Sequence, residues 1–244
     1  TSFSAYSGMN TSTFFPKEWS ISNYMKLFHS DSVSQFPQWF LNTFIIACFT
    51  CVISTMFVLM VAYATSVMRF KMRKPLMNMA VILNLFPGML AMIAVYFTLK
   101  SFNLTNSYAG LIMVYSASSG LGYLIAKGFF DTVPRALCEA ARIDGASKPR
   151  MFFKITLPMI TSIAFFNIIM QLITALQNFT SAFVVTNGGP NKGTYVLGMK
   201  LYTDAFKYFK MGYACATSWI LFIVILIMTA VLFATSKKWV YYDN

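Results

Sequence analysis

Long apolar runs separated by short polar breaks organise this chain. Five runs, 40–68, 76–99, 107–126, 158–185 and 212–235, are long enough as helices to cross a hydrocarbon core, which takes about 20 residues. Their period is helical throughout, without the alternating segments of about ten residues that mark barrel strands. The pattern predicts an all-α, polytopic transmembrane helical bundle with five spans. Pro87-Gly88 predicts a kink in the second span, in which Asn78 and Asn84 share no face. Ser116, Ser118, Ser119, Gly120 and Gly122 form a small-residue patch in the third, suited to close helix approach.

Composition agrees. Hydrophobic residues make up 57% of the chain and charged residues 11%, against about a quarter charged in soluble domains. Twelve of the nineteen Lys and Arg fall in the breaks 69–74 and 127–154 and at 237–238. The other seven (Lys17, Lys26, Lys100, Lys192, Lys200, Lys207, Lys210) are spread over longer segments on the opposite side. The positive-inside rule puts the first set, and the C-terminus, in the cytoplasm. Topology therefore accounts for the net charge of +12, and no nucleic-acid partner is expected. Five spans with an internal C-terminus put residue 1 outside, so a preceding span is expected and six in the intact protein. The organisation expected is an extracytoplasmic segment 1–39 and a transmembrane domain 40–244, with a cytoplasmic loop 127–157 and an external loop 186–211.

The break at 127–157 is the most informative. It carries Glu139-Ala140-Ala141-Arg142-Ile143-Asp144-Gly145, then Ile155 and Leu157-Pro158. Asp131 or Thr132 is placed to cap a helix with Pro134 in its first turn, and Gly145 to end it as a left-handed C′ residue. Ser147, followed by Pro149, is placed to cap the next helix. Two short helices meeting at a glycine on a membrane surface read as a docking element.

Glu-Ala-Ala, three residues, Gly, nine residues, Ile, one residue, Leu-Pro closely resembles the cytoplasmic loop signature of type I ABC importer permeases. Asn42-Thr43, Ala62-Tyr63-Ala64, Met68-Arg69-Phe70, Pro87 and Gly128-Phe129-Phe130 look like the carbohydrate branch of that family. So does the segment from Phe15 to Tyr24. Beyond Pro158, Thr186-Asn187-Gly188-Gly189-Pro190, Leu201-Tyr202, Ala205-Phe206 and Gly212-Tyr213-Ala214 look more like the larger than the smaller membrane subunit of the maltose system. The resemblance implies a non-catalytic permease of a bacterial cytoplasmic membrane that imports a carbohydrate, an oligosaccharide. Its implied partners are a second homologous permease, two ATPase subunits and an extracytoplasmic sugar-binding protein. ATP and Mg would be bound by the ATPase, with no cofactor on this chain. In the implied coupling loop, Glu139 and Asp144 make polar contacts to the ATPase, and Ala140, Ala141 and Gly145 allow close approach. Ile155, Leu157 and Pro158 join the loop to the next span. Because the loop signature serves all type I importers, a polyamine, phosphate or peptide cargo is the alternative.

Polar residues within spans are where a path through the membrane is built. In 158–185, Asn167, Gln171, Thr174 and Asn178 recur at helical offsets that put them on one face, which Gln177 and Ser181 extend. That face lines a translocation path, or glues helices with bonds worth under about 1 kcal/mol each. None of the seven acidic residues lies mid-span, which argues against a proton-coupled carrier or channel. The sequence has no phosphate-binding Gly-x4-Gly-Lys-Ser/Thr motif, and His29 has no nucleophile beside it, so no enzyme is indicated. Cys48 and Cys51 lie in a span as small apolar residues, Cys138 and Cys215 stand apart, and no metal or disulfide is expected. Trp239, Tyr241 and Tyr242 beside Lys237 and Lys238 read as an interfacial anchor. The turn-rich stretch 187–193 and residues 1–38 offer an external docking surface.

Overall fold

The computed structural model describes residues 2–4, 16, 18–28, 35–68, 70–118 and 121–241, without the side chains of 135 and 148. Expectations resting on His29, Ser119, Gly120 and Tyr242 lie outside the described residues. In chain order the helices are α1 (Ser22–Phe28), α2 (Phe36–Ser66), α3 (Arg73–Asn84), α4 (Gly88–Ser101), α5 (Tyr108–Ala117), α6 (Gly122–Thr132) and α7 (Arg135–Ile143). Then come α8 (Lys148–Met151), a π turn (Phe152–Thr156), α9 (Leu157–Met159), α10 (Thr161–Gln177), α11 (Thr180–Val185) and α12 (Leu197–Tyr202). A second π turn (Thr203–Lys207) precedes α13 (Met211–Ser236). Among the described residues two helices, α2 and α13, are each long and apolar enough to cross a membrane; counting each bent pair as one span gives up to five.

The bends have local causes. Pro87 lacks a donor and restricts the residue before it, and α3 and α4 turn by 104° around it. The kink expected at Pro87-Gly88 is thus a sharp change of direction, and the run 76–99 is a bent pair of helices. The run expected to be a single helix over 158–185 is also broken twice. The segment 149–159 meets α10 at 63°, and Asn178 leaves the helix with extended geometry (ψ 123°) before α11 begins. Within α2, the hydroxyls of Thr43 and Thr65 donate to the carbonyls of Trp39 and Val61, one turn back, which satisfies them in an apolar setting.

Helix α2 is the spine, packed along its length by α5, α6 and α10. Near its start, Trp39, Ala47 and Cys51 pack with Leu172, Leu176 and Ala216. On another face Ile46 meets Leu111, Tyr115 and Val185. Toward its end Val58 and Ala62 pack with Ala126, Phe130 and Ile163. The small-residue patch of the third run works as expected at Gly122, where a side chain would sit 3.3 Å from Asn167 Oδ1 and 3.8 Å from Val58. At the C-terminus Trp239 packs edge-on against Phe165, and the Tyr241 amide donates to Thr161 Oγ. The closing aromatics therefore also tie the last helix to the start of α10.

Candidate functional site

The segment that follows Pro134 is built by its sequence. Pro134 holds extended geometry just before α7, so the helix begins at Arg135. The expected caps do not form: Asp131 and Thr132 belong to the end of α6. Asp131 is engaged by Lys127 and by the Ser66 hydroxyl, and Thr132 donates to the Phe129 carbonyl. The other end behaves as expected. Gly145 has φ +79°, its amide donates to the Arg142 carbonyl, and that of Ala146 donates to Ala141. This double closure is the Schellman arrangement. Helix α8 starts at Lys148, directly after Ser147 and with Pro149 in its first turn. Pro158 offers no N–H to a ladder, and the preceding turn widens so that the Leu157 amide reaches Phe152, the kind of π insertion that proline provokes.

Glu139, Ala140, Asp144 and Gly145 are exposed and Ala141 is half-buried; Ile155, Leu157 and Pro158 are half-buried where the segment rejoins the bundle. A signal missed in the sequence is Ile143, which is 87% exposed beside the glycine turn, with Leu137 also exposed. An isoleucine left bare at the tip of a polar turn marks a surface that expects cover.

Tyr63, near the end of α2, links this segment to the bundle. Its ring packs edge-on against Phe130 of α6 at 5.9 Å and against Phe152 of the π turn at 5.2 Å. Such pairs contribute about 0.5–1.5 kcal/mol each beyond area burial. Replacing Tyr63 with alanine is expected to speed amide hydrogen exchange across 148–157, while Tyr63→Phe leaves it unchanged. Equal exchange in both variants would show that the ring does not anchor the segment.

The polar stripe is only partly assembled. Asn167 is buried (3% exposed) and donates to the Ile163 carbonyl, with its oxygen toward Gly122. Gln171 faces the same glycine, with Nε2 at 4.0 Å from where a side chain would start. Thr174 is exposed and bonds back to Met170. Gln177 ends α10, Asn178 lies in the break, and Ser181 is buried in α11. The single face expected for all six residues is therefore cut at Asn178. The Asn178 carbonyl is taken instead by the Tyr115 hydroxyl at 2.8 Å.

At the other end of α2, roughly 30 Å from Tyr63 along the helix, the chain 186–211 is clamped onto Asn42 and Thr43. The Asn42 amide donates to the Tyr195 carbonyl, its oxygen accepts from the Tyr108 hydroxyl, and Thr43 Oγ accepts from the Leu197 amide. Beside this clamp opens a cavity of about 1210 Å³. Lys200 and Asp204 form an ion pair in its wall at 2.9 Å, with Lys200 Nζ 4.7 Å above the Trp39 ring and 4.6 Å from that of Tyr213. The pair is not an aligned hydrogen bond, since Asp204 Oδ2 is buried and accepts none. Burial raises the Tyr195 hydroxyl above the usual tyrosine range, and the Thr203 hydrogen bond opposes that.

Broken spans around a central helix, an exposed helix–glycine–helix turn at one end and a cavity at the other define a polytopic helical membrane protein. Residues 56–239 match the family described as binding-protein-dependent transport system inner membrane component, and the chain belongs to that family. It is 40% identical over 144 residues to a probable ABC transporter permease, YesP, of Bacillus subtilis (strain 168), covering 58% of this chain and 47% of that protein. It is 33% identical over 159 residues to the galactooligosaccharides transport system permease GanQ of the same organism, covering 65% and 56%. The chain thus spans about half the length of these curated relatives. A bacterial ABC transporter involved in import of the acidic polysaccharide alginate contains a chain of the same fold, with TM-score 0.72 and 16% identity over 99% of this chain and 87% of that one.

Proposed function

We propose that this chain is the membrane-spanning permease subunit of an ATP-driven importer that takes up a carbohydrate, an oligosaccharide, delivered by an extracytoplasmic binding protein. The observation that carries the reading is the exposed turn at Gly145, closed by its Schellman bonds and flanked by the bare Ile143. A rigid, uncovered element on the basic-loop side suits docking into a cleft of an ATPase subunit. In that role Glu139 and Asp144 supply polar contacts, and Ala140, Ala141 and Gly145 supply close approach. Ile155, Leu157 and Pro158 pass the motion to α10, and Tyr63 passes it to α2. Coupling is mechanical: closure of two ATP- and Mg-loaded ATPase subunits rocks α2 and its neighbours, together with a second homologous permease, between inward-open and outward-open states. The basic-loop side and the C-terminus are cytoplasmic in this arrangement. Asn167 and Gln171, facing Gly122, are the members of the polar stripe best placed to hydrogen-bond a sugar or to hold α6 against α10. The carbohydrate class is supported by the relative named for galactooligosaccharides.

Mass spectrometry of the complex purified in mild detergent, together with an uptake panel of sugars, polyamines, phosphate and peptides, tests the reading. Expected are an ATPase, a second permease and uptake of a sugar. A chain that purifies alone would remove the importer reading, and uptake confined to a non-sugar would remove the carbohydrate.

A further inference from the structure

Five of the seven lysines outside the basic loops line the cavity beside the Asn42 clamp: Lys26, Lys192, Lys200, Lys207 and Lys210. They come from α1, from the 186–196 loop, from α12 and from the stretch between α12 and α13, so the fold, rather than a basic run in the sequence, gathers them. Among the described residues the one carboxylate in the wall, Asp204, is held by Lys200, which leaves four lysine charges without a matching acid in that lining. Charges of one sign gathered in a concave, low-dielectric wall focus a field that attracts the opposite sign.

Aromatic surface is interleaved with these cations. Trp39, Tyr195, Tyr208 and Tyr213 line the same cavity. Trp39 is only 4% exposed, and its Nε1–H has no hydrogen-bond partner among the described residues. Small-molecule pockets run to about 300–1,000 Å³; a cavity of about 1210 Å³ suits a chain of several rings. Aromatic faces suit the C–H faces of sugar rings, and lysine ammonium groups suit carboxylates.

We propose that this cavity receives an anionic oligosaccharide, one whose rings carry carboxylates. This rests on the carbohydrate reading above and narrows it. The alternative use of the lysines, contact with an acidic face of the binding protein, fits less well with a concave, aromatic-lined wall.

The test uses the importer purified with its partner subunits in phosphatidylcholine membranes, where no anionic lipid competes for the lysines. Binding of trigalacturonate is compared with that of galactotriose, which differs at carbon 6 by carrying a hydroxymethyl group. Trigalacturonate is expected to bind at least about tenfold more tightly, with a preference that shrinks as salt screens the charges. Combined Lys26→Gln, Lys192→Gln, Lys207→Gln and Lys210→Gln is expected to abolish that preference. Equal binding of both sugars overturns the anionic assignment and leaves the carbohydrate reading standing. So does a variant that keeps the preference but loses association with the binding protein, or failure of both sugars to bind while cells still take up a neutral sugar. Absence of any sugar uptake overturns both.

Discussion

Replacing Gly145 with valine leaves the protein in the membrane near its normal level and lowers uptake by at least about tenfold, the equivalent of roughly 1.4 kcal/mol. Gly145 sits at φ +79° with nothing within 4 Å of where a side chain would begin, so the substitution meets no core atom and the bundle keeps its packing. The strain is in the backbone. A left-handed conformation costs about 1–2 kcal/mol for an ordinary L-residue, and more for a β-branched one. That cost is relieved by giving up the bonds from Gly145 to Arg142 and from Ala146 to Ala141, which fix α7 relative to α8. Asparagine tolerates the left-handed region, so Gly145→Asn separates two roles. If the turn matters only for direction, Asn restores uptake; if the glycine must also lie against a partner, Asn fails as valine does. Uptake of labelled sugar and retention of the ATPase on the purified variant are the measurements. Normal values of both for Gly145→Val would remove the docking assignment.

The Gly145 turn was legible because its determinants are local: a glycine at C′, prolines near two helix starts and a polar interval between apolar runs. The breaks divide along the same line. Pro87 announces itself, although not its 104° consequence. Asn178 does not, because Gln177-Asn178-Phe179-Thr180 is compatible with a continuing helix. What ends α10 there is tertiary: the Tyr115 hydroxyl takes the Asn178 carbonyl, and Gly198 sits so close that a side chain on it would lie 2.7 Å from Phe179 Cβ. Asp131 illustrates the converse, since its cap signal is real in isolation and is overridden by Lys127 and Ser66. The cavity was invisible for a further reason. Its lysines are separated by as many as 184 positions between Lys26 and Lys210, and they read as unremarkable external charges until the clamp at Asn42 and Thr43 folds 186–211 back over α2.

The Lys200–Asp204 ion pair beside that clamp sets the largest stability effect expected in the molecule. Asp204→Ala leaves the Lys200 ammonium, whose side chain is 8% exposed, buried without its counter-charge. Removing one partner of a buried pair costs about 3–5 kcal/mol, which is a large part of the 5–15 kcal/mol that typically holds a domain together. The Trp39 and Tyr213 rings, at 4.7 and 4.6 Å from Lys200 Nζ, hold on to the cation by about 0.5–2 kcal/mol each, so the lower end of that range is expected. Because Lys200 lies on α12 while Trp39 begins α2 and Tyr213 begins α13, the loss acts where three elements meet. The segment 195–213 should then exchange its amides faster, and the thermal midpoint in detergent should fall. Replacing both partners with apolar residues of similar size, Lys200→Met with Asp204→Leu, removes the buried charges together and is expected to recover most of the lost stability. The order of the two variants decides the matter. If the single substitution is as stable as the double one, Lys200 reaches water or another anion once Asp204 is gone, and the ion pair does not fasten α12 to α2 and α13.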